Sequence, residues 1–147
     1  MANAFDRVKH SFLFSVLHSF GFSSSFLNLI KACISNPWIA PLVNGRPSNF
    51  FQASRGLRQG CPLSPFLYIL MADSLSRKLT AGKFDGLIPG ITTATGFEAI
   101  NHAIFADDTL LLGGASLKMA KVFSEIVHHF CIIFGALINN RKNAVFG

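Results

Sequence analysis

The sequence has little charge, and negative charge is scarcer still. Only 14% of its 147 residues are charged, against about 25% in a typical soluble domain. Thirteen Lys and Arg against seven Asp and Glu leave a net charge of +6, which suits a polyanionic partner such as nucleic acid but is common in ordinary proteins as well. Half of the residues are hydrophobic. Such a chain is either a membrane protein or a piece of a larger protein whose apolar faces pack on further segments.

A long uninterrupted hydrophobic run is also lacking. The best candidate for a membrane span lies between Lys9 and Lys31, where no residue carries a formal charge. That stretch contains two His, six Ser and a central Gly, and a span needs about 20 predominantly apolar residues. The sequence therefore disfavours a transmembrane helix, and we expect no membrane partner.

Cysteine is scarce and irregularly placed. Cys33, Cys61 and Cys131 are odd in number and far apart, which argues against a disulfide scaffold and a zinc ribbon and favours a reduced, intracellular chain. His128 and Cys131 could share a helix face, but no second pair lies at zinc spacing. Ordinary helix positions are therefore favoured over a zinc site.

Hydrophobic spacing and cap residues predict four helices. They are expected near 9–20, 23–36, 64–82 and 116–134, with Ser64 and Ser116 as N-caps and Gly82 as a stop. Asn44-Gly45 predicts a hairpin turn that leads to a strand near 49–53, and further strands near 97–104 and 109–112 flank an Asp-Asp turn. The expected fold class is α+β, with helices packed on one face of a small antiparallel sheet.

The acidic pair Asp107 and Asp108 lies inside the apolar run AIFADDTLLL. Adjacent like charges among apolar neighbours are costly unless water or a cation compensates them. Mg²⁺ prefers such oxygen ligands, and two such ions catalyse phosphoryl transfer in many enzymes. The alternative is a solvated turn in which Asp108 only caps the next strand, and the pair alone does not decide between the two.

Five segments in a fixed order make the chain resemble a reverse transcriptase, in particular that of plant non-LTR (LINE-type) retrotransposons. AFDRVKHSFLFSVLHSFGF is similar to the segment that leads out of motif A, and NGRPSNFF to the hairpin that follows it. RQGCPLSP resembles motif B, FADD motif C, and GALINNRK motif D. The resemblance covers residues 1–147 and implies a partial polymerase palm with motifs A to D.

This resemblance implies substrates, cofactors and site residues. The family's partners are an RNA template, a DNA primer and deoxynucleoside triphosphates, and its cofactor is a pair of Mg²⁺ ions, for which Mn²⁺ can substitute. Asp107 would be the principal metal ligand and Asp108 its assistant. Lys142 would approach the pyrophosphate as a general acid, although a solvated lysine is the alternative.

The nucleotide and template contacts implied by the resemblance come from motif B and from Phe5. Gln59 and Gly60 would line the pocket for the template base and the incoming nucleotide, since glycine lets backbone approach a ligand closely. Arg55 and Arg58 offer forked donors to phosphate; the alternative is an ordinary loop before a helix. Phe5 would crowd the sugar 2′-position and favour deoxynucleotides, or else it is a buried core residue.

The resemblance also implies parts that the sequence does not show. The first aspartate of motif A would fall immediately before Met1, Asn3 replaces the usual Lys, and Asp6 is the second aspartate, which is not expected to reach the same ion. Fingers and thumb segments that normally pack on the palm are missing. We therefore expect little or no polymerase activity from this chain alone. The alternatives are a non-catalytic nucleic-acid-binding remnant and a decayed open reading frame; the family implies a nuclear location.

Overall fold

The computed structural model describes residues 4–35, 37–92, 94–139 and 144. Lys142, the predicted general acid, lies outside the described residues. The helices are α1 (Ala4–Arg7), α2 (His10–Ser19), α3 (Ser24–Ile34), α4 (Leu63–Phe84) and α5 (Leu117–Phe134). The strands are β1 (Trp38–Ile39), β2 (Leu42–Val43), β3 (Arg46–Pro47), β4 (Phe51–Gln52), β5 (His102–Phe105) and β6 (Asp108–Leu111).

The six strands form three antiparallel pairs, β1 with β4, β2 with β3 and β5 with β6. The α+β class predicted from the sequence is therefore confirmed. Asn44 and Gly45 have φ angles of 51° and 75°, the positive values that a type I′ turn requires. Across this turn β2 pairs with β3, whereas the strand expected near 49–53 is β4 and pairs with β1.

The hydrophobic core is built around α4. Leu67, Met71, Leu75 and Leu79 repeat every fourth residue and are at most 2% exposed, because this spacing places them on one face of the helix. Around them α4 packs against α2, α5 and β5. None of the helices in the described part of the chain is long and apolar enough to cross a membrane.

Both predicted boundaries of α4 were wrong. The helix begins at Leu63 after Pro62, so Ser64 lies inside it, where its buried hydroxyl donates to the Arg58 carbonyl at 2.7 Å instead of capping. At the other end the helix continues past Gly82 to Phe84. Gly86, with a φ of 70°, supplies the left-handed residue that ends it.

Gly82 is required for packing. It is buried, and a Cβ there would lie 2.9 Å from the side chain of Ile88. The carbonyl of Gly82 accepts hydrogen bonds from the backbone N–H groups of Leu87 and Ile88, at 3.0 and 3.1 Å. The chain after α4 therefore folds back over Gly82. This glycine lies inside the helix, two residues before its end, and is not the residue that stops it.

Helix α5 has the predicted N-terminus and a second, unpredicted attachment at its C-terminus. Ser116 accepts a hydrogen bond from the Met119 backbone N–H at 3.2 Å, which confirms it as the N-cap. At the other end the Lys9 ammonium donates to the Ile132 carbonyl at 2.8 Å, and Arg7 Nε donates to the Gly135 carbonyl at 3.0 Å. Cations at this position satisfy free carbonyls and favour the helix dipole.

Strand β5 is attached to α4 by a partly buried series of side-chain hydrogen bonds. The side-chain amide of Asn101 donates to the Leu79 carbonyl at 2.7 Å, which leaves its oxygen facing His102 Nδ1, also at 2.7 Å. His102 Nδ1 is therefore the donor, and Nε2 accepts from the Ser76 hydroxyl at 2.7 Å. Because β5 leads directly into the turn that carries Asp107, these hydrogen bonds fix the position of the turn relative to α4.

Candidate functional site

The loop between β4 and α4 is docked on the first turn of the described chain. The Gly56 N–H donates to the Val8 carbonyl at 2.8 Å, and the Leu57 N–H donates to the Phe5 carbonyl at 2.7 Å. Gly56 has a φ of 91°, and a Cβ there would lie 2.8 Å from the Asp6 carbonyl oxygen. Glycine is thus required at this position for both its backbone angle and its close approach.

One side-chain hydrogen bond joins Gln59 of this loop to Asp6. Gln59 Nε2 donates to Asp6 Oδ1 at 3.0 Å. The bond fixes which end of the Gln59 amide faces Asp6, and it places a donor against the carboxylate. Asp6 is thereby engaged with the loop that the sequence analysis assigned to nucleotide or template binding.

The turn between β5 and β6 presents the two aspartates differently. Phe105 pairs with Asp108 in the ladder, so the two turn residues are Ala106 and Asp107, not Asp107 and Asp108. Ala106 has a φ of 51°, which is uncommon for a residue with a side chain. Asp107 is half-buried at the turn, whereas Asp108 begins β6 and is exposed.

A cleft of about 550 Å³ lies beside this turn, and we call it the Asp107 cleft. It is lined by Ala4, Phe5, Gln59, Gly60, Cys61, Pro62, Ser64, Pro65 and Asp107. Four residues that the sequence analysis assigned to the site, Phe5, Gln59, Gly60 and Asp107, therefore meet at one cleft. They come from three segments that are far apart in the chain.

Phe5 is supported by Tyr68, the single tyrosine of the chain. The two rings stack with centroids 4.6 Å apart and an interplanar angle of 13°. Phe5 is half-buried and lines the Asp107 cleft, so it packs on the core and also borders the cleft. Core packing of Phe5 is therefore confirmed, and its contact with a sugar stays a prediction.

Tyr68 is a neighbour of the acidic turn that the sequence analysis missed. Burial, followed by the negative charges of Asp107 and Asp108, raises the pKa of Tyr68 to about 12. Its hydroxyl is protonated at neutral pH, as that of an ordinary tyrosine is, and the raised pKa extends this state to higher pH. In the sequence Tyr68 is indistinguishable from the other apolar residues of α4, and its rarity was the only available signal.

Cys61 also lines the Asp107 cleft without having been predicted as a site residue. A hydrogen bond from the Leu63 backbone lowers the pKa of the Cys61 thiol, while its slight desolvation opposes that shift. The thiol follows Gly60 at the entry to α4. It therefore adds a polarisable group to the lining of the Asp107 cleft.

A second cleft of about 500 Å³ shares Gln59 with the first, and we call it the hairpin cleft because it is also lined by Ile39 of β1 and Phe51 of β4. It is lined by Asp6, Pro37, Ile39, Phe51, Gln52, Ala53, Ser54, Arg55, Gly56, Leu57, Arg58 and Gln59. Arg55 and Arg58, which the sequence analysis grouped with Gln59 and Gly60, line this cleft and are not among the lining residues of the Asp107 cleft. Gln59 lines both clefts.

The acidic pair offers the chemistry of a hard-cation site. Asp107 and Asp108 supply carboxylate oxygens, which Mg²⁺ prefers and which it supplements with water. Within 4–35, 37–92, 94–139 and 144, no group of three His, Cys, Asp or Glu side chains is placed to hold a metal ion. Asp107 lines the Asp107 cleft and Asp108 does not, so the two carboxylates offer suitable oxygen donors from neighbouring but differently placed residues.

The chain is similar to reverse transcriptases and to retrotransposon Pol polyproteins. Residues 1–146 match the family model described as reverse transcriptase (RNA-dependent DNA polymerase). The Pol polyprotein of a type-2 R2 retrotransposable element of Drosophila melanogaster is 27% identical over 97% of this chain and 13% of its own length. An R2 Pol polyprotein of Popillia japonica is 30% identical over 95% of this chain and 19% of its own length.

A plant protein is more similar over a shorter stretch. An uncharacterised mitochondrial protein of Arabidopsis thaliana is 46% identical over 68 residues, which are 46% of this chain and 56% of that protein. The chain thus spans about half of this relative and between about an eighth and a fifth of the two retrotransposon polyproteins.

Proposed function

The chain belongs to the reverse transcriptase (RNA-dependent DNA polymerase) family, and from this premise we propose that it forms the palm portion, motifs A to D, of a polymerase that copies RNA into DNA. The family implies a metal-dependent polymerase with a nucleic-acid template and nucleotide substrates. One observation carries the proposal. The Asp107 cleft brings Phe5, Gln59, Gly60 and Asp107 together from three distant segments.

In this proposal Asp107 and Asp108 hold Mg²⁺, the finer assignment within a metal-dependent family. When bound, Mg²⁺ would neutralise the charge that develops on the oxygens of the transferred phosphoryl group. The chain's own contribution is to present Asp107 in the turn and Asp108 at the start of β6, on a hairpin attached to α4 through Asn101 and His102. Tyr68, whose pKa is raised by burial and by these two carboxylates, is neutral and adds no further negative charge.

The remaining predicted residues would bind and orient the substrates. The ring of Phe5 stacks on Tyr68 at the border of the cleft, where it would exclude a ribose 2′-hydroxyl. Gly60 has a φ of 79° and open space around its Cα, which supports close approach of a nucleotide to the backbone. Gln59, held by Asp6, would contact the template base or the nucleotide. Lys142 remains the proposed general acid.

The metal assignment can be tested with Mn²⁺ as a paramagnetic probe of the 147-residue chain. We expect NMR signals of Asp107, Asp108 and Gly60 to broaden first and the broadening to disappear in Asp107→Asn. Asp85→Asn is the matched control, because Asp85 is an exposed aspartate at the C-cap of α4. Broadening that persists in Asp107→Asn, or that centres on Asp85, would contradict the assignment.

Activity is tested by primer extension on an RNA template with Mg²⁺. Because the chain spans a small part of its retrotransposon relatives, we expect weak extension at most, and we expect any extension to be lost in Asp107→Asn but not in Asp85→Asn. The reason is that only the first substitution removes a ligand of the ion that the reaction requires. Extension that survives Asp107→Asn would overturn the proposed function.

A further inference from the structure

Ser76 differs from Ser74, its neighbour on α4, in the partner of its hydroxyl. The Ser74 hydroxyl donates to the Met71 backbone carbonyl at 2.6 Å, which is an ordinary arrangement for a serine inside a helix. The Ser76 hydroxyl instead lies 2.7 Å from a side-chain atom, His102 Nε2. The Ser76 oxygen is therefore in contact with a ring nitrogen that can accept its proton.

The hydrogen bonds of Asn101 determine which nitrogen of His102 carries the hydrogen. Asn101 is 3% exposed, and its amide nitrogen donates to the carbonyls of Leu79 and Ile88 at 2.7 and 3.4 Å. Its amide oxygen is left as the acceptor for His102 Nδ1, at 2.7 Å. The hydrogen of the ring is thus on Nδ1, and the lone pair of Nε2 faces Ser76.

His102 is held in the uncharged form by its surroundings. Strand β5 packs against α4 and β6. From α4 the charge of Lys83, which is itself paired with Glu98, acts together with burial to lower the pKa of His102, and burial is the larger cause. The acidic residue of β6 is Asp108, which lies at the other end of the ladder, opposite Phe105. The ring is therefore neutral at pH 7 and able to accept a proton.

We propose that Ser76 is a nucleophilic serine that accepts an acyl group from an activated ester, with His102 as its general base and Asn101 as the residue that orients the ring. A serine hydroxyl is a weak nucleophile until an adjacent base, itself oriented by a third group, takes its proton. Both hydrogen bonds of this series have the length that such an arrangement requires. Ser76 and His102 are each partly exposed, so a small ester can reach the hydroxyl.

The reaction has two steps. Ser76 Oγ attacks the carbonyl carbon of the ester while its proton passes to His102 Nε2, and the Asn101 oxygen stabilises the imidazolium that forms. The bond from that carbon to the leaving alcohol then breaks, and the alcohol takes the proton from His102. The products are an ester of Ser76 and the free alcohol. Neither Ser76 nor His102 lines the Asp107 cleft, so the inference goes beyond the proposed polymerase function and does not depend on it.

The test is incubation of the folded 147-residue chain with p-nitrophenyl acetate, followed by peptide mass mapping. We expect an acetyl group on Ser76 that hydroxylamine removes, because hydroxylamine cleaves an ester but not the amide formed on a lysine. Ser76→Ala should abolish this acetylation. Ser74→Ala is the matched control and should retain it, since the Ser74 hydroxyl is on the same helix but is bonded to a backbone carbonyl.

Two further variants and a pH profile test the role of the base. His102→Gln should slow the acetylation of Ser76 about 100-fold, the lower end of the effect of a general base. Asn101→Asp should retain the reaction, because a carboxylate also accepts from Nδ1. In the unchanged chain the rate should rise with pH and level off, with a midpoint below about 6.5, the ordinary histidine pKa.

The pH profile distinguishes a general base from a histidine with a structural role alone, and it requires no variant. Circular dichroism shows whether each variant folds, and the profile tests the inference even where one does not. Acetyl groups on lysine residues alone, an unchanged rate in His102→Gln, or a rate without the plateau would overturn the inference. The three side chains would then serve only to attach β5 to α4.

Discussion

At the scale of single residues, position 56 requires glycine for two separate reasons. Its φ of 91° costs a residue with a side chain about 1–2 kcal/mol, and a Cβ would also lie 2.8 Å from the Asp6 carbonyl oxygen. We expect Gly56→Ala to lower the free energy of unfolding by roughly 3 kcal/mol. The measurement is urea denaturation followed by circular dichroism.

Gly96 provides the comparison for this substitution. Its φ of 87° is close to that of Gly56, but a Cβ there would meet nothing within 4 Å. Gly96→Ala should therefore lower the free energy of unfolding only by the backbone cost of about 1–2 kcal/mol. If both variants lose the same stability, the close approach of Gly56 to Asp6 contributes nothing.

His102 makes the stability of the chain dependent on pH. Burial, followed by the charge of Lys83, lowers the pKa of His102 below its usual value; Lys83 itself is paired with Glu98. The unfolded chain therefore takes up a proton at a higher pH than the folded chain does. The contribution of His102 to stability is complete above the usual histidine pKa and is lost as the pH falls below it.

Urea denaturation at pH values above and below about 6.5, the ordinary histidine pKa, measures this effect. We expect the free energy of unfolding to fall on acidification, and we expect His102→Gln to reduce that fall. His18→Gln is the matched substitution at an exposed position of α2. An unchanged pH dependence in His102→Gln would contradict this prediction.

At the scale of elements, the N-terminus of α5 depends on one hydroxyl. Ser116 accepts from the Met119 N–H at 3.2 Å, and loss of an N-cap serine destabilises a helix by about 1 kcal/mol. Ser116→Ala should lower the free energy of unfolding by that amount in urea denaturation. Ser124→Ala, at an exposed position inside the same helix, should be neutral or slightly stabilising; an equal loss in both would exclude capping as the cause.

The boundaries of the helices show which sequence signals are sufficient. Ser116 was predicted correctly because a single cap residue precedes a clear helical pattern. The prediction of Ser64 as an N-cap failed because the helix begins earlier, directly after Pro62. The serine hydroxyl donates instead to the Arg58 carbonyl. The prediction of Gly82 as the end of α4 failed because a glycine can serve close packing as well as a turn. Only the contact with Ile88, which the sequence does not show, distinguishes these two roles.

At the scale of the whole molecule, stability should be distributed unevenly. The residues of β2 and β3 are all exposed, and an isolated two-stranded hairpin is marginally stable in water. The buried face of α4 lies at the centre of the core. We expect hydrogen–deuterium exchange to be fastest at the amides of β2 and β3 and slowest at those of Leu67 to Leu79; comparable protection of the two regions would contradict this distribution.

The candidate site could be predicted in part. The motif pattern identified Phe5, Gln59, Gly60 and Asp107, and these four residues line one cleft. The separation of Arg55 and Arg58 into the hairpin cleft could not be predicted, because it depends on how β1 and β4 pair. Tyr68 was missed for a similar reason, since its proximity to Asp107 depends on the packing of α4 against the β5–β6 hairpin.

The attachments of Arg7 and Lys9 to the end of α5 have a consequence for synthesis of the protein. Arg7 and its partner Gly135 are 128 residues apart in the chain. During translation Arg7 and Lys9 are made before α5. Their carbonyl partners become available only after α5 has been completed. Contacts of such long range form slowly and late. A ribosome-bound chain that stops before α5 would therefore lack both of these attachments.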